Sequence, residues 1–592
     1  MTRASSVTPA GVRLDTRARG RLADVLVVLG CLAAALLIYR GLWQNLDSGY
    51  LTGSGQDQNM WEWFFAVTAK NVLTLSNPLH TDLQNHPLGV NLMANTAMLG
   101  VGIPLTPVTV LFGPTVTWAL TLTGGLAGTA VAWYWLLSRH VVASRGAAAI
   151  GAALAGFAPP IISHANAHPN FVVLLLVPLL VHRLLLLARG ERPVAGGVIL
   201  GLLTAYQVLL GEEPLLIAAL ALTVFALAYA LSRPAEIGPM VRPLGTGIGV
   251  GALVAGAVVA VPLWWQFAGP QSYTGIEHGF QGNDLAAFTG YATASLAGTD
   301  SSAVDLSLNR TEENAFFGWP LVLVLLGVTV ALWRVAAARA VAVAMLVMAW
   351  LSMGVLLVVN GTATSIPGPW MLLVDAPLVS SVLESRLAMA CAPLGGILLA
   401  MATDRVLRLP WLREWAYVAR VSWFGALLVA LVPIMPTELP TGERDPVPEF
   451  LASGRWADHV REGRSVAVVP LPDTGYADPL HWQVGQGLAF PLAEGYFVGP
   501  AEDGSGIYGA QRTMLSSTLD EVDETGLPVS VGRAERGQAV ADLKQWRTDL
   551  VVLDAGHPDA EALRTTADGL IGIPGRLRGG MWIWDVRSLT SS

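Results

Sequence analysis

Between residues 22 and 435 the sequence falls into about eleven apolar runs, at about 22–43, 115–138, 146–163, 171–188, 194–211, 214–231, 245–267, 317–334, 341–359, 387–404 and 415–435. A helix needs roughly 20 such residues to cross a bilayer, and fewer where packing supports it. Only 13% of the 592 residues are charged and 53% are hydrophobic, against about 25% charged in soluble domains. The expected fold class is mostly α: a polytopic transmembrane helical bundle in the plasma membrane. The net charge of −8 argues against a nucleic-acid partner, which would select a basic surface. Cys31 and Cys391 both lie in apolar runs and offer no disulfide framework or metal-ligand spacing.

The first run follows several arginines and resembles a signal peptide in order. It is longer than a typical signal core and lacks a small-residue cleavage site after it. It is expected to be an uncleaved first span behind a cytoplasmic tail, 1–21. The segment 96–113 is apolar but short, and it contains Pro104 and Pro107. It is expected to be interfacial or re-entrant.

Cytoplasmic loops are enriched in Lys and Arg. With eleven spans and an inside N-terminus, the inner loops hold Arg139 and Arg145, Arg189 and Arg192, Arg233 and Arg242, Arg334 and Arg339, then Arg405, Arg408 and Arg413. The outer loops hold only Lys70, Arg310 and Arg386. Reading 96–113 as a full span would invert every later loop. The transmembrane region is therefore expected at 22–436 and the C-terminal segment on the outer face.

Acids and histidines then collect outside. The long first outer loop, 44–114, contains Asp47, Asp57, Glu62, His80, Asp82 and His86, and PPIISHANAHPN contains His164 and His168. GEEP contributes Glu212 and Glu213. The loop at 268–316 contributes Glu277, His278, Asp284, Asp300, Asp305, Arg310, Glu312 and Glu313. The loop at 360–386 contributes Asp375, Glu384 and Arg386. From about 437 the composition changes. GERDPVPEFLASGRWADHVREGRSVAVVPLP reads as linker, helix, turn and strand, and RGQAVADLKQWRTDLVVLDAG as a helix and a buried strand. MWIWDV closes a hairpin turned at Gly-Gly. Residues 437–592 are expected to form an extracytoplasmic α/β domain.

Several residues carry possible chemistry. Asp57 precedes Trp61, Phe64, Phe65, Thr68 and Val72, which fall at helical spacing. It reads as the N-cap of an interfacial helix, and also as a carboxylate placed to deprotonate a hydroxyl. Glu212 and Glu213 sit at a membrane boundary, where acids need water or a partner. His164 and His168 are four apart, the spacing of helical metal ligands, but Pro159, Pro160 and Pro169 argue against a regular helix. Arg386 opens a span on a face almost empty of cations. It suits a membrane-embedded phosphate or an ion pair with Glu384, and Arg310 is the second such cation. No phosphate loop, nucleophile elbow or HExxH is present.

Taken together, the acid-bearing first outer loop, NPLHTDLQNHPLGVNLMANT, PPIISHANAHPN, QVLLGEEPLL, PLWWQFAGPQSYTG, EENAFFGWPLVL, VVNGTATSIPGPWMLLVDAPLVSSVLESR and HWQVGQGLAFPLAEGYFVGP resemble bacterial polytopic membrane glycosyltransferases of the GT-C superfamily. The resemblance implies a polyprenyl-phosphate-linked sugar as donor and a cell-envelope glycan or lipid as acceptor. Asp57 matches the superfamily's basic acid by position, with Asp47 as runner-up. Asp47, His80, His164, His168, Glu212, Glu213, Arg310, Glu384 and Arg386 are then expected to bind substrate, and Arg386 with Arg310 to stabilise the leaving phosphate. Some members hold a divalent metal on a DxD or DE pair. Here the sequence is QDQ, so a metal is possible and no cofactor is certain. A lipid-linked glycan flippase and a non-catalytic envelope assembly protein are the alternatives.

Overall fold

The computed structural model describes residues 16–276, 282–299, 301, 303–373, 382–410 and 414–591. Glu277, His278, Asp300, Asp375 and Arg413 lie outside the described residues.

Every expected apolar run contains a helix, but the last residues of the run at 341–359 form the strand Leu356–Val359, paired antiparallel with Thr362–Pro367. Seven are long and apolar enough to cross a membrane: Gly20–Ile38, Pro114–Val141, Pro169–Ala188, Glu212–Ser232, Pro234–Ala268, Glu384–Leu407 and Glu414–Leu431. The runs at 146–163, 194–211, 317–334 and 341–359 form the shorter apolar helices Arg145–Phe157, Pro193–Val208, Trp319–Leu332 and Ala336–Leu351. Leu26, Leu37, Leu231, Leu253, Val261 and Val330 are exposed on these helices. Apolar surface on this scale needs lipid around it, and the protein is a membrane protein. The segment 96–113 forms two short helices, Leu99–Gly102 and Thr106–Phe112, with Pro104 between them.

The loops that the arginine pattern assigns to one side meet one another. At one end of the bundle Arg145 pairs with Asp24, with Nε to Oδ1 at 2.8 Å, while Tyr134 donates to the same oxygen at 2.6 Å. His182 meets His140 at 2.9 Å. At the other end the long first loop, the short helix Pro159–His164, the start of Glu212–Ser232, the segment 282–318 and the 3-10 turn Glu384–Ala390 close over a shared polar centre.

The C-terminal segment contains a four-stranded sheet in the order Arg576–Arg578, Met581–Asp585, Thr548–Asp554, Ser465–Val469. The last pair is parallel and the other two are antiparallel. Gly579 and Gly580 both take positive φ, 50° and 81°, the backbone a two-residue hairpin requires. Three helices, Met514–Thr525, Arg533–Gln545 and Ala560–Ile571, bury Leu519, Leu543, Leu563 and Leu570 around Val551 and Leu553 of the sheet.

This segment is stitched to the first loop. Gly49–Leu51 pairs antiparallel with Thr441–Glu443. Trp63 Nε1 donates to Gln483 Oε1 at 2.5 Å, and Gln483 Nε2 donates to the Leu83 carbonyl at 2.7 Å. Asn95 exchanges two hydrogen bonds with the Val498 backbone. A Cβ at Gly495 would overlap the Gln84 side chain, so these two segments lie in direct contact here.

This packing changes the expected interfacial helix. The helix Asp57–Thr74 begins at Asp57, its cap residue is Gln56, and no side chain caps it. Asp57 is therefore not the N-cap. Trp61, Phe64 and Phe65 are buried at 4%, 0% and 0% exposure, and Trp63 on another face at 0%. They do not rest at a lipid–water boundary. A helix buried all round is an internal one, and here residues 477–490 cover the face that the sequence pattern leaves to solvent.

Candidate active site

Asp57 stands at the first turn of its helix with both carboxylate oxygens engaged. Tyr496, from the C-terminal segment, donates its hydroxyl to Oδ1 at 2.5 Å. His168 Nε2 faces Oδ2 at 3.3 Å. The Asp57 side chain is 15% exposed. A carboxylate has about four lone-pair sites, so two remain open.

His168 leads to the rest of the centre. Pro159 and Pro160 begin the helix Pro159–His164 rather than preventing it, since proline is tolerated in a first turn. The chain then turns so that the His168 N–H still reaches the His164 carbonyl at 2.8 Å. The two rings meet with Nδ1 to Nδ1 at 2.9 Å. His164 Nε2 faces Asn314 Oδ1 at 2.9 Å, while Asn314 Nδ2 donates to Glu312 Oε2 and Ser385 Oγ. Burial pushes the His164 imidazole down, to about 3.

Arg386 is sandwiched between two acids. Its Nη1 donates to Glu213 Oε2 at 2.6 Å, its Nη2 to Glu312 Oε1 at 2.5 Å, and its Nε to both Glu312 oxygens at 3.1 Å. The guanidinium lies 4.8 Å from the Phe171 ring centre. Burial pushes the Glu312 carboxyl up, but Arg386 outweighs it and holds Glu312 well below the usual carboxylate range. Arg386 thus pairs with Glu213 and Glu312, and its charge is matched twice over.

The centre contains Asp57, Glu213 and Glu312 against one guanidinium, so it is acidic. It also brings together residues that could hold a cation. Both Nε2 atoms face carboxylate or amide oxygens, which places a proton on each in the neutral rings. Two Nδ1 lone pairs then confront each other at 2.9 Å, an arrangement that needs a proton or a metal ion between them. His164, His168 and Glu312 each present a ligand atom, all within 4.8 Å of one another. Two imidazoles and a carboxylate are a zinc-type donor set, and the Asp57–His168 contact is the outer hydrogen bond that metal-bound histidines receive. The QDQ sequence supplies no second acid near Asp57; the histidine pair and Glu312 are the residues that could hold a cation.

The other expected residues are placed differently. Glu212 accepts from Gln266 Nε2 at 2.8 Å, one residue beside the centre. Glu384 is buried at the start of the Arg386 turn. Arg310 is exposed, with its carbonyl held by Ser163 Oγ at 2.8 Å, next to the buried Glu312–Asn314. His80 packs on Trp265 with ring centres 6.4 Å apart, and Asp47 is exposed; among the described residues neither has a hydrogen bond or ion pair to the centre. Glu312, Asn314 and Tyr496 are the members that residue-by-residue reading passed over. All three lie in the quoted segments EENAFFGWPLVL and HWQVGQGLAFPLAEGYFVGP, which was the available signal.

No family model and no curated protein matches this sequence. Solved structures do. The mycobacterial arabinofuranosyltransferase AftD superposes with a TM-score of 0.56 at 16% identity, covering 96% of this chain and 40% of AftD. The oligosaccharyltransferase of Archaeoglobus fulgidus, tethered to an acceptor peptide, superposes with a TM-score of 0.51 at 11% identity, covering 92% of this chain and 71% of that one. Its apo form gives 0.50 at 12% identity. At these identities the likeness is one of fold, which this chain shares with the AftD and Archaeoglobus fulgidus oligosaccharyltransferase structures.

Proposed function

We propose that the protein is a glycosyltransferase that moves a sugar from a polyprenyl-phosphate donor to a cell-envelope glycan or lipid acceptor, at the outer ends of its helices in the plasma membrane. The observation that carries this reading is Asp57: a part-buried carboxylate, held by His168 and Tyr496, with lone pairs left over and no capping duty. Two of the structures sharing the fold are named as an arabinofuranosyltransferase and an oligosaccharyltransferase, which supports the same reaction class.

In this reaction the acceptor O–H bond breaks and its proton passes to Asp57. The oxygen forms a bond to the anomeric carbon. The bond from that carbon to the phosphate oxygen breaks, and its electron pair leaves on the polyprenyl phosphate. Developing charge on that phosphate needs a fixed positive partner. Arg386 is already balanced by Glu213 and Glu312, so its main work is to hold those acids in place, with Arg310 as a further cation at the rim. His164, His168 and Glu312 would hold a divalent cation, which when bound supplies positive charge toward the leaving phosphate.

The test is a deletion strain complemented with wild type or with Asp57→Asn, read by mass spectrometry of lipid-linked sugars and envelope glycans. The expected result is a missing glycan and an accumulated donor, both restored only by wild type. Full restoration by a correctly inserted Asp57→Asn protein would overturn the assignment.

A further inference from the structure

Of Tyr50, Tyr273, Tyr496 and Tyr508, three have their hydroxyls committed to the protein. Tyr496 donates to Asp57, Tyr273 to the Ala94 carbonyl at 2.6 Å, and Tyr50 to the Gly55 carbonyl. Tyr508 differs: its side chain is 51% exposed, and its hydroxyl has no hydrogen-bond partner among the described residues.

Its position is fixed by a short hairpin. Val498–Pro500 pairs antiparallel with Gly506–Tyr508, and Tyr508 lies directly opposite Val498. Val498 is anchored to Asn95 of the first loop through both its N–H and its carbonyl. Gly506 lies against the Tyr273 ring so closely that a Cβ there would stand 2.9 Å from it. The N–H of Gly509, the residue after Tyr508, donates to the Phe497 carbonyl at 2.7 Å, and Phe497 directly follows Tyr496. Tyr508 is therefore held beside the segment whose Tyr496 grips Asp57. Burial raises its phenol, and the charges of Arg386, Asp57, Glu312 and Glu213 act on it.

We propose that Tyr508 is the specificity-determining platform on which a saccharide ring of the acceptor stacks, its hydroxyl free to bond a sugar hydroxyl while Asp57 meets the reacting one. The inference rests on the glycosyl-transfer reading of the site. An aromatic face bound to the apolar C–H face of a sugar suits a ligand whose edges are hydroxyls, because ring contact and hydrogen bonding are then met at the same time. The platform belongs to the polar C-terminal segment rather than to the apolar helices, so it serves the glycan side of the reaction and not the lipid tail.

The experiment uses the full chain in lipid nanodiscs, with methyl α-D-arabinofuranoside and methyl α-D-mannopyranoside as probes and saturation-transfer NMR as readout. Wild type is expected to bind at least one of them. Tyr508→Ala is expected to weaken that binding roughly tenfold, the order of a lost aromatic contact. Tyr508→Phe is expected to keep most of it. Polyprenyl phosphate alone is expected to leave the signal in place. Equal binding by Tyr508→Ala, displacement by polyprenyl phosphate, or no binding of either glycoside by wild type would overturn the platform. Failure of the transfer reading is seen separately, in the glycan profile of the Asp57→Asn strain.

Discussion

Two buried arginines join distant parts of this chain, and they do opposite things. Arg444 meets Glu62 with two bonds, Nη1 to Oε2 at 2.9 Å and Nη2 to Oε1 at 3.1 Å, and the two side chains are 6% and 3% exposed. One charge meets one charge, His481 Nδ1 accepts from Nη1 at 2.6 Å, and Gln58 donates to Glu62. Arg386 faces two acids, with Asp57 and the His164–His168 pair alongside. The first cluster pairs one guanidinium with one carboxylate and clamps the C-terminal segment onto the helix Asp57–Thr74. The second has surplus acid, two confronted nitrogens and unused lone pairs, so its polar groups are complete only when something else binds. Burial of an arginine does not separate clamp from site; the balance of charge around it does.

If that distinction holds, variants of the two clusters change different quantities. The largest effect is expected from Asp57→Asn, a loss of transfer of about 10²- to 10⁴-fold, the usual share of a general base, with thermal unfolding unchanged. A variant that unfolds early while keeping its specific activity would make Asp57 part of the clamp. Next comes Arg444→Met, which strands Glu62 as an unpaired buried charge and is expected to cost about 3–5 kcal/mol of stability. The double variant Arg444→Met with Glu62→Leu should recover most of that cost, since the pair exists for packing. Activity per folded molecule should stay close to wild type in the double variant. Chemical denaturation of the three proteins checks both statements.

A smaller effect sharpens the other side. Glu312→Gln removes one of the ligand atoms near the facing nitrogens and leaves Arg386 with Glu213 alone. Activity is expected to fall about 10- to 100-fold, the range for a disturbed metal environment. A ligand that binds only the folded state raises the unfolding temperature. Added zinc is therefore expected to stabilise wild type and to leave Glu312→Gln and His168→Ala unmoved. Equal shifts in all three proteins would exclude a cation at this centre.

Much of the fold could be read from the sequence because its signals are local. Each apolar run contains a helix at nearly its expected place, and the Gly579–Gly580 hairpin formed where alternation and glycine indicated. The site was legible residue by residue, through His164, His168, Glu213 and Arg386, but not as a constellation. That Arg386 reaches Glu213 and Glu312, and Tyr496 reaches Asp57, depends on segments 173, 74 and 439 residues apart. No periodicity encodes such distances. The mistaken reading of Trp61, Phe64 and Phe65 as a lipid-facing stripe has the same origin. An aromatic stripe looks alike whether lipid or the rest of the protein's own core covers it.

The smallest effect expected belongs to the clamp and is read by pH. Burial, reinforced by the Arg444 guanidinium, holds the His481 imidazole down at about 4, whereas an unfolded histidine titrates near about 6.5. Between these values the unfolded chain takes up a proton that the folded chain refuses. Stability contributed by this group is thus complete above about pH 6.5 and falls steadily as pH drops toward about 4, where the folded protein begins to take the proton too. His481→Gln keeps an acceptor for Arg444 and removes the titration. Its denaturation midpoint is expected to match wild type at pH 8 and to decline less between pH 6.5 and 4. Because the clamp and the site draw on separate charges, glycosyl transfer at pH 8 should be the same in both proteins. A His481→Gln protein that lost activity there would show that the two arginine clusters are coupled through the helix Asp57–Thr74, on which Asp57 and Glu62 lie little more than one turn apart.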